Sequence, residues 1–163
     1  MSEPIEQRIG AKLRELGLSL AVAESCTGGL AGSRITDVAG SSDYFLGGVI
    51  AYANSAKEEL LSVRTESLVK YGAVSEQVAR EMAAGVRCAL GADVGLAITG
   101  VAGPGGGTAE KPVGLMWLAV SAEGAEKTRR LLLQGDRKAN KEAATEAMLV
   151  LLIEFLEELP REG

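Results

Sequence analysis

The chain of 163 residues contains no histidine. That absence removes the histidine-based triads and imidazole general bases on which much of hydrolase chemistry rests. An activated serine in this sequence must find another base, and lysine is the usual substitute. Cysteine is scarce as well: Cys26 lies among small polar residues and Cys88 in an apolar helical stretch, a pair that supports no disulfide framework, zinc site or secreted module. Basic charge is in deficit, with a net charge of -5. The densest basic cluster, Lys127-Thr128-Arg129-Arg130, is short, so no nucleic-acid partner is expected, while an isolated basic pocket for a small anion stays open. Long apolar runs are missing too, since Val113 to Ala122 is too short to cross a bilayer. The amino-terminal Met1 to Gln7 is acidic where a signal peptide would be basic, so no membrane partner and a cytoplasmic location are expected. A hydrophobic content of 47% over this length supports one core, hence one domain over 1–163.

What is present is strongly periodic. Ile5, Ile9, Leu13 and Leu16 have the spacing of an amphipathic helix that stops at Gly17. Leu18 to Ala23 reads as a strand, and Leu30 to Ile35 as a helix after the glycines. Phe45 to Tyr52 reads as a second strand, after which Asn54 is expected to cap a helix through Leu61. Ser75 is expected to cap a helix carrying Val78, Met82, Val86 and Leu90 and closed by Gly91. Val94 to Ile98 is a third strand, running into the glycine-rich stretch Thr99 to Thr108. Val113 to Ala122 and Lys127 to Gln134 flank Glu123-Gly124-Ala125-Glu126 as a hairpin, and Lys138 to Leu159 is a long final helix. Early alternation of strand and helix followed by local strand pairing predicts an α/β fold, a three-layer α/β/α sandwich with a mixed β-sheet.

The chemistry concentrates where the first strand ends, at Ala23-Glu24-Ser25-Cys26-Thr27-Gly28-Gly29. If Gly28 and Gly29 open a helix, its unpaired N–H groups and positive dipole end suit an oxyanion or a phosphate over Ser25. The same pattern also fits Ser25 and Thr27 as plain helix caps. No G-x-S-x-G elbow exists, and the S-x-x-K at Ser67 to Lys70 reads as an accident of spacing, with Lys70 solvated. Lys57 falls in the first turn of a helix, where its charge opposes the macrodipole. Burial there would lower its pKa and make it a general base; the alternative is an exposed amine in water. Tyr52 has a comparable alternative, a core or interface aromatic. The 99–108 stretch matches neither G-x-G-x-x-G nor a P-loop, and either wraps a ligand or forms a mobile turn. In Gly135-Asp136-Arg137, Asp136 is expected to cap the final helix, and Arg137 offers a planar fork to a phosphate or a surface ion pair.

Taken together, Ala23 to Gly29, Gly48-Val-Ile-Ala-Tyr52, Tyr71-Gly-Ala-Val-Ser75, Thr99-Gly-Val-Ala-Gly-Pro104, Lys111-Pro-Val-Gly114 and Gly135-Asp-Arg137 resemble the CinA C-terminal domain family along nearly the whole chain. Active members of that family are nicotinamide mononucleotide deamidases. The resemblance implies a small nucleotide substrate, no cofactor and no metal, with hydrolysis of the carboxamide to nicotinate mononucleotide and ammonia. It implies Ser25 as nucleophile and Lys57, aided by Tyr52, as the group that takes its proton. Cys26, Thr27, Gly28 and Gly29 would form an oxyanion or phosphate cradle, while Thr99, Gly100, Gly103 and Arg137 would shape the nucleotide pocket. Lys141 stands where similar sequences carry a second arginine, which weakens bidentate phosphate binding there. Many members also carry an amino-terminal domain resembling molybdopterin-binding proteins, and this chain resembles the stand-alone form. A homo-oligomer is expected from the resemblance and the apolar helical faces. The competing functional reading is a catalytically silent nucleotide-binding or regulatory module, and a third is action on another small amide.

Overall fold

The protein is described here by a computed structural model covering residues 2–160. In chain order its elements are α1 (Ile5–Leu16), β1 (Leu20–Glu24), α2 (Leu30–Thr36), a 3-10 turn (Ser41–Asp43), β2 (Phe45–Ile50), α3 (Asn54–Leu61), α4 (Thr65–Tyr71), α5 (Glu76–Leu90), β3 (Val94–Gly100), β4 (Leu115–Ala122), β5 (Ala125–Leu132) and α6 (Arg137–Glu158). The strands form one sheet in the order β2-β1-β3-β4-β5. β1 is parallel to both of its neighbours, and β3, β4 and β5 are antiparallel, so the sheet is mixed as the sequence predicts.

The parallel half follows from helical crossovers and the antiparallel half from a tight turn. Ala122 pairs with Ala125, so Glu123-Gly124 is the whole connection, with Gly124 at φ 73. Two-residue turns of this kind match the twist of paired strands and need positive φ. The expected four-residue hairpin loop is thus two residues long, and Ala125 and Glu126 belong to β5.

β1 is buried along its whole length, as a central parallel strand must be, and its side chains alternate between two cores. Leu20 and Val22 join residues of α1, α2 and α6, including Ile9, Ile35 and Met148. Ala21 and Ala23 join Leu61, Leu68, Val78, Met82 and Val86 from α3, α4 and α5. Helices therefore cover both faces in three layers.

α5 packs unusually close to its neighbours because glycine stands at both contacts. A Cβ at Gly95 would lie 2.1 Å from the Ala83 carbonyl oxygen, and one at Gly85 would lie 1.9 Å from the Leu61 carbonyl oxygen. At the start of α5 the Ser75 hydroxyl accepts the Val78 N–H at 3.2 Å, the cap expected there.

Several boundaries and roles differ from the sequence reading. β1 begins at Leu20 and ends at Glu24, and β2 stops at Ile50 because the chain must turn into α3. Asn54 is the first residue of α3; Ala53 holds the cap position with no side-chain cap. The stretch around Ser67 is a separate helix, in which the Ser67 hydroxyl donates to Glu81 at 2.5 Å while the Lys70 ammonium sits over the Tyr71 ring. Thr99 and Gly100 extend β3 rather than opening a loop.

Candidate active site

The carboxyl ends of β1, β2 and β3 lie along one edge of the sheet. The connections from β1 to β2 and from β2 to β3 cover opposite faces, and open α/β sheets present their ligand crevice at such a switch point. Ser25 follows β1, Tyr52 follows β2, and Thr99 and Gly100 end β3. They line a cleft of about 220 Å³ together with Cys26, Asn54, Lys57, Val74, Ala102 and Arg137.

Lys57 is the most unusual residue in the cleft. It is only 2% exposed, and its Nζ lies 3.1 Å from Ser25 Oγ. The same nitrogen donates to the carbonyl oxygens of Ala51 at 2.9 Å and Tyr52 at 3.1 Å. No ion pair among the described residues involves Lys57. Burial holds its pKa below the ordinary lysine value, an effect partly opposed by the nearby Cys26. The dominant cause is thus desolvation.

A neutral amine fits these contacts stereochemically. Its two N–H bonds satisfy the two carbonyls, which leaves the lone pair for the serine proton.

Tyr52 enters mainly through its backbone. Its carbonyl holds Lys57, while its side chain is 62% exposed and its hydroxyl accepts a hydrogen bond from Arg137 at 3.1 Å. Arg137 also donates to the Gly103 carbonyl at 2.7 Å, so it straps the glycine-rich loop to the β2 end across the mouth. Thr99 is buried and donates its hydroxyl to the Ala73 carbonyl at 2.9 Å. Gly100 is required by space, since a Cβ there would lie 2.0 Å from Met116 Sδ.

The turn after Ser25 departs from the expected open cradle. Gly29 N–H at 3.2 Å, Ala31 N–H at 3.0 Å and Gly32 N–H at 3.0 Å all donate to the Glu24 carboxylate. Gly28 N–H is taken by the Ser25 carbonyl and Leu30 N–H by that of Thr27. The Thr27 hydroxyl donates to Glu24 at 2.6 Å, so neither it nor Ser25 caps α2 through its side chain. No backbone carbonyl among the described residues accepts the N–H of Cys26 or Thr27, and that of Cys26 faces its own thiol. Any anion held by this turn is therefore restricted to those two groups, and Gly28 and Gly29 serve the turn by their positive φ values of 61 and 110.

Glu24 and Asn140 escaped the sequence reading. The one signal for Glu24 was an acidic side chain ending an apolar strand a few residues ahead of a helix start. Asn140 is 1% exposed and bridges distant loops, accepting from Gly135 N–H at 2.9 Å and donating to the Ala102 carbonyl at 3.1 Å. Lys141 approaches the same turn, with its Nζ 3.9 Å from where a Cβ on Gly28 would stand. The described residues contain no group of three or more histidine, cysteine, aspartate or glutamate side chains arranged to hold a metal. Nor do they contain a helix long and apolar enough to cross a membrane.

The thiol in the cleft is inert. Burial pushes the Cys26 pKa up to about 11, and its Sγ packs 3.5 Å from Met116 Sδ, whereas Cys88 is exposed. Iodoacetamide near neutral pH is expected to alkylate Cys88 and spare Cys26 until the chain is unfolded, because the thiolate is the reactive species. Peptide mass mapping checks this; fast native labelling of Cys26 would contradict it.

Comparison with known proteins agrees with this fold. Residues 2–156 match the family model of the CinA C-terminal domain, and the chain belongs to that family. It is 50% identical over 149 residues to a CinA-like protein of Kosmotoga olearia, covering 91% of this chain and 36% of that protein. Among solved structures, the competence/damage inducible protein CihA from Agrobacterium tumefaciens is 40% identical with a TM-score of 0.91, covering 97% of this chain and 100% of that one. The competence damage-inducible protein A (ComA) from Klebsiella pneumoniae is 33% identical with a TM-score of 0.92, over 96% of this chain and 97% of that one. The chain spans little more than a third of the length of the curated relatives it matches.

Proposed function

We propose that this domain is an amidohydrolase that converts nicotinamide mononucleotide and water to nicotinate mononucleotide and ammonia. The observation that carries the reading is the buried Lys57 amine 3.1 Å from Ser25 Oγ in a chain without histidine. Ser25 Oγ attacks the carboxamide carbon as its proton passes to Lys57 Nζ, giving a tetrahedral oxyanion faced by the N–H groups of Cys26 and Thr27. Collapse breaks the C–N bond, and Lys57 returns the proton to the departing ammonia. Water then attacks the acyl ester, giving a proton to Lys57, and Ser25 recovers its own as the acid leaves.

The dimensions of the cleft suit this assignment. At about 220 Å³ it lies below the usual range of roughly 300–1,000 Å³ for whole drug-sized ligands. In this reading the pyridine carboxamide end occupies the cleft and the ribose phosphate lies at the mouth, where Arg137 supplies positive charge. Ammonia release from nicotinamide mononucleotide tests the reading. The natural chain should turn over, and Ser25→Ala should lose about 10³-fold or more in kcat with binding retained. An inactive natural chain would remove the enzymatic reading.

A further inference from the structure

Glu24 is a charged residue at 2% exposure for which the deamidation steps above have no use. Its carboxylate accepts four hydrogen bonds: from Thr27 Oγ1, Gly29 N and Ala31 N on one oxygen and from Gly32 N on the other. We propose that Glu24 is the positioning residue of the Ser25–Lys57 pair: its carboxylate locks the 25–29 turn and keeps the amides at the start of α2 away from the cleft. The proposal rests on the catalytic reading of that pair.

Buried carboxylates are retained only where their lone pairs are satisfied, and here amides and a hydroxyl do so. No ion pair among the described residues involves Glu24. The positive end of α2 supplies the compensating field. α2 begins immediately after Gly29, which has no side-chain cap of its own, so Glu24 is the cap, reaching forward from inside the sheet.

The main chain of Glu24 ties the other partner. Its carbonyl accepts the Ala51 N–H at 2.8 Å, and the Ala51 carbonyl in turn accepts from Lys57 at 2.9 Å. One residue therefore fixes the nucleophile through its side chain and the base through its backbone. It also narrows anion binding to the Cys26 and Thr27 amides, because the neighbouring donors are occupied. A misplacement of about 1 Å in such a constellation is worth roughly 10²-fold in rate.

The test measures Ser25 labelling by a small aryl sulfonyl fluoride, in which a Ser25 Oγ–S bond forms and fluoride leaves. Labelling by this probe does not depend on the identity of the natural substrate. Glu24→Gln keeps the shape but turns an amide NH2 toward N–H donors, and it should label about 10²-fold more slowly than the natural chain. Thr27→Val should show part of this loss and Thr27→Ser should recover most of it, and this pair carries the test if Glu24→Gln does not fold. A single cooperative thermal transition serves as the fold control, and with nicotinamide mononucleotide kcat should fall while KM holds. Labelling of Glu24→Gln at the natural rate overturns the proposal alone. Absence of Ser25 labelling in the natural chain overturns the catalytic reading and the proposal with it.

Discussion

Lys57→Met is expected to lower kcat on nicotinamide mononucleotide by about 10³-fold, within the range for loss of a general base, and at the same time to raise thermal stability. The amine loses activity when protonated, so the rate of the natural enzyme should rise with pH. The midpoint should fall below the lysine reference of about 10.4, since burial lowers this pKa. The stability effect has the same origin. Below its folded pKa, Lys57 is charged in both states and the native fold bears the cost of a buried ammonium. Between the folded and unfolded pKa values the unfolded chain binds more protons, so stability rises with pH, and above both the cost is gone. The Lys57→Met gain should therefore be largest at acidic to neutral pH, on the order of 2–4 °C in Tm for each kcal/mol recovered, and shrink toward alkaline pH. Calorimetry across pH checks this, and a variant less stable at every pH contradicts it.

Gly85→Ala should have a large effect for a single methyl addition outside the cleft. The new Cβ would stand 1.9 Å from the Leu61 carbonyl oxygen and 3.0 Å from Leu61 Cα, both backbone atoms at the end of α3. Backbone cannot rotate away as a side chain can, so α3 must shift, and α3 carries Lys57 one turn earlier. A destabilisation of about 1–3 kcal/mol, the usual cost of overpacking, should accompany a fall in kcat. Gly105→Ala, whose Cβ meets nothing within 4 Å, should leave Tm unchanged. Equal Tm values for the two variants would mean that the α3–α5 contact is looser than described.

These effects show how far the sequence alone could reach. The three-layer mixed sheet was legible because β1 and β3 are short continuous apolar runs, α5 carries a clear helical periodicity, and Ser75, Gly91 and Gly17 punctuate them. The capping of α3 is not legible by residue type, because Asn54 is a good cap by type, yet the backbone places Ala53 there. The site was legible as residue types but not as contacts. Composition points to a lysine partner for a serine, the first-turn position of Lys57 makes it a candidate, and the family resemblance implies its role as base. Nothing local shows that the Ala51 and Tyr52 carbonyls face Lys57 Nζ, since this depends on the turn between β2 and α3. Arg137 meets Gly103, and Asn140 meets Ala102, across long sequence separations that no periodicity records. Glu24 is the instructive omission, because a buried acid in an apolar strand looks like a defect until the start of α2 folds over it.

Partitioning of the reaction between water and hydroxylamine tests the central claim most directly. If Ser25 forms an acyl ester, added hydroxylamine should intercept it and yield the hydroxamate alongside nicotinate mononucleotide, with both products lost in Ser25→Ala. Turnover that gives only the carboxylate at every hydroxylamine concentration, and that survives Ser25→Ala, would contradict a serine nucleophile served by Lys57.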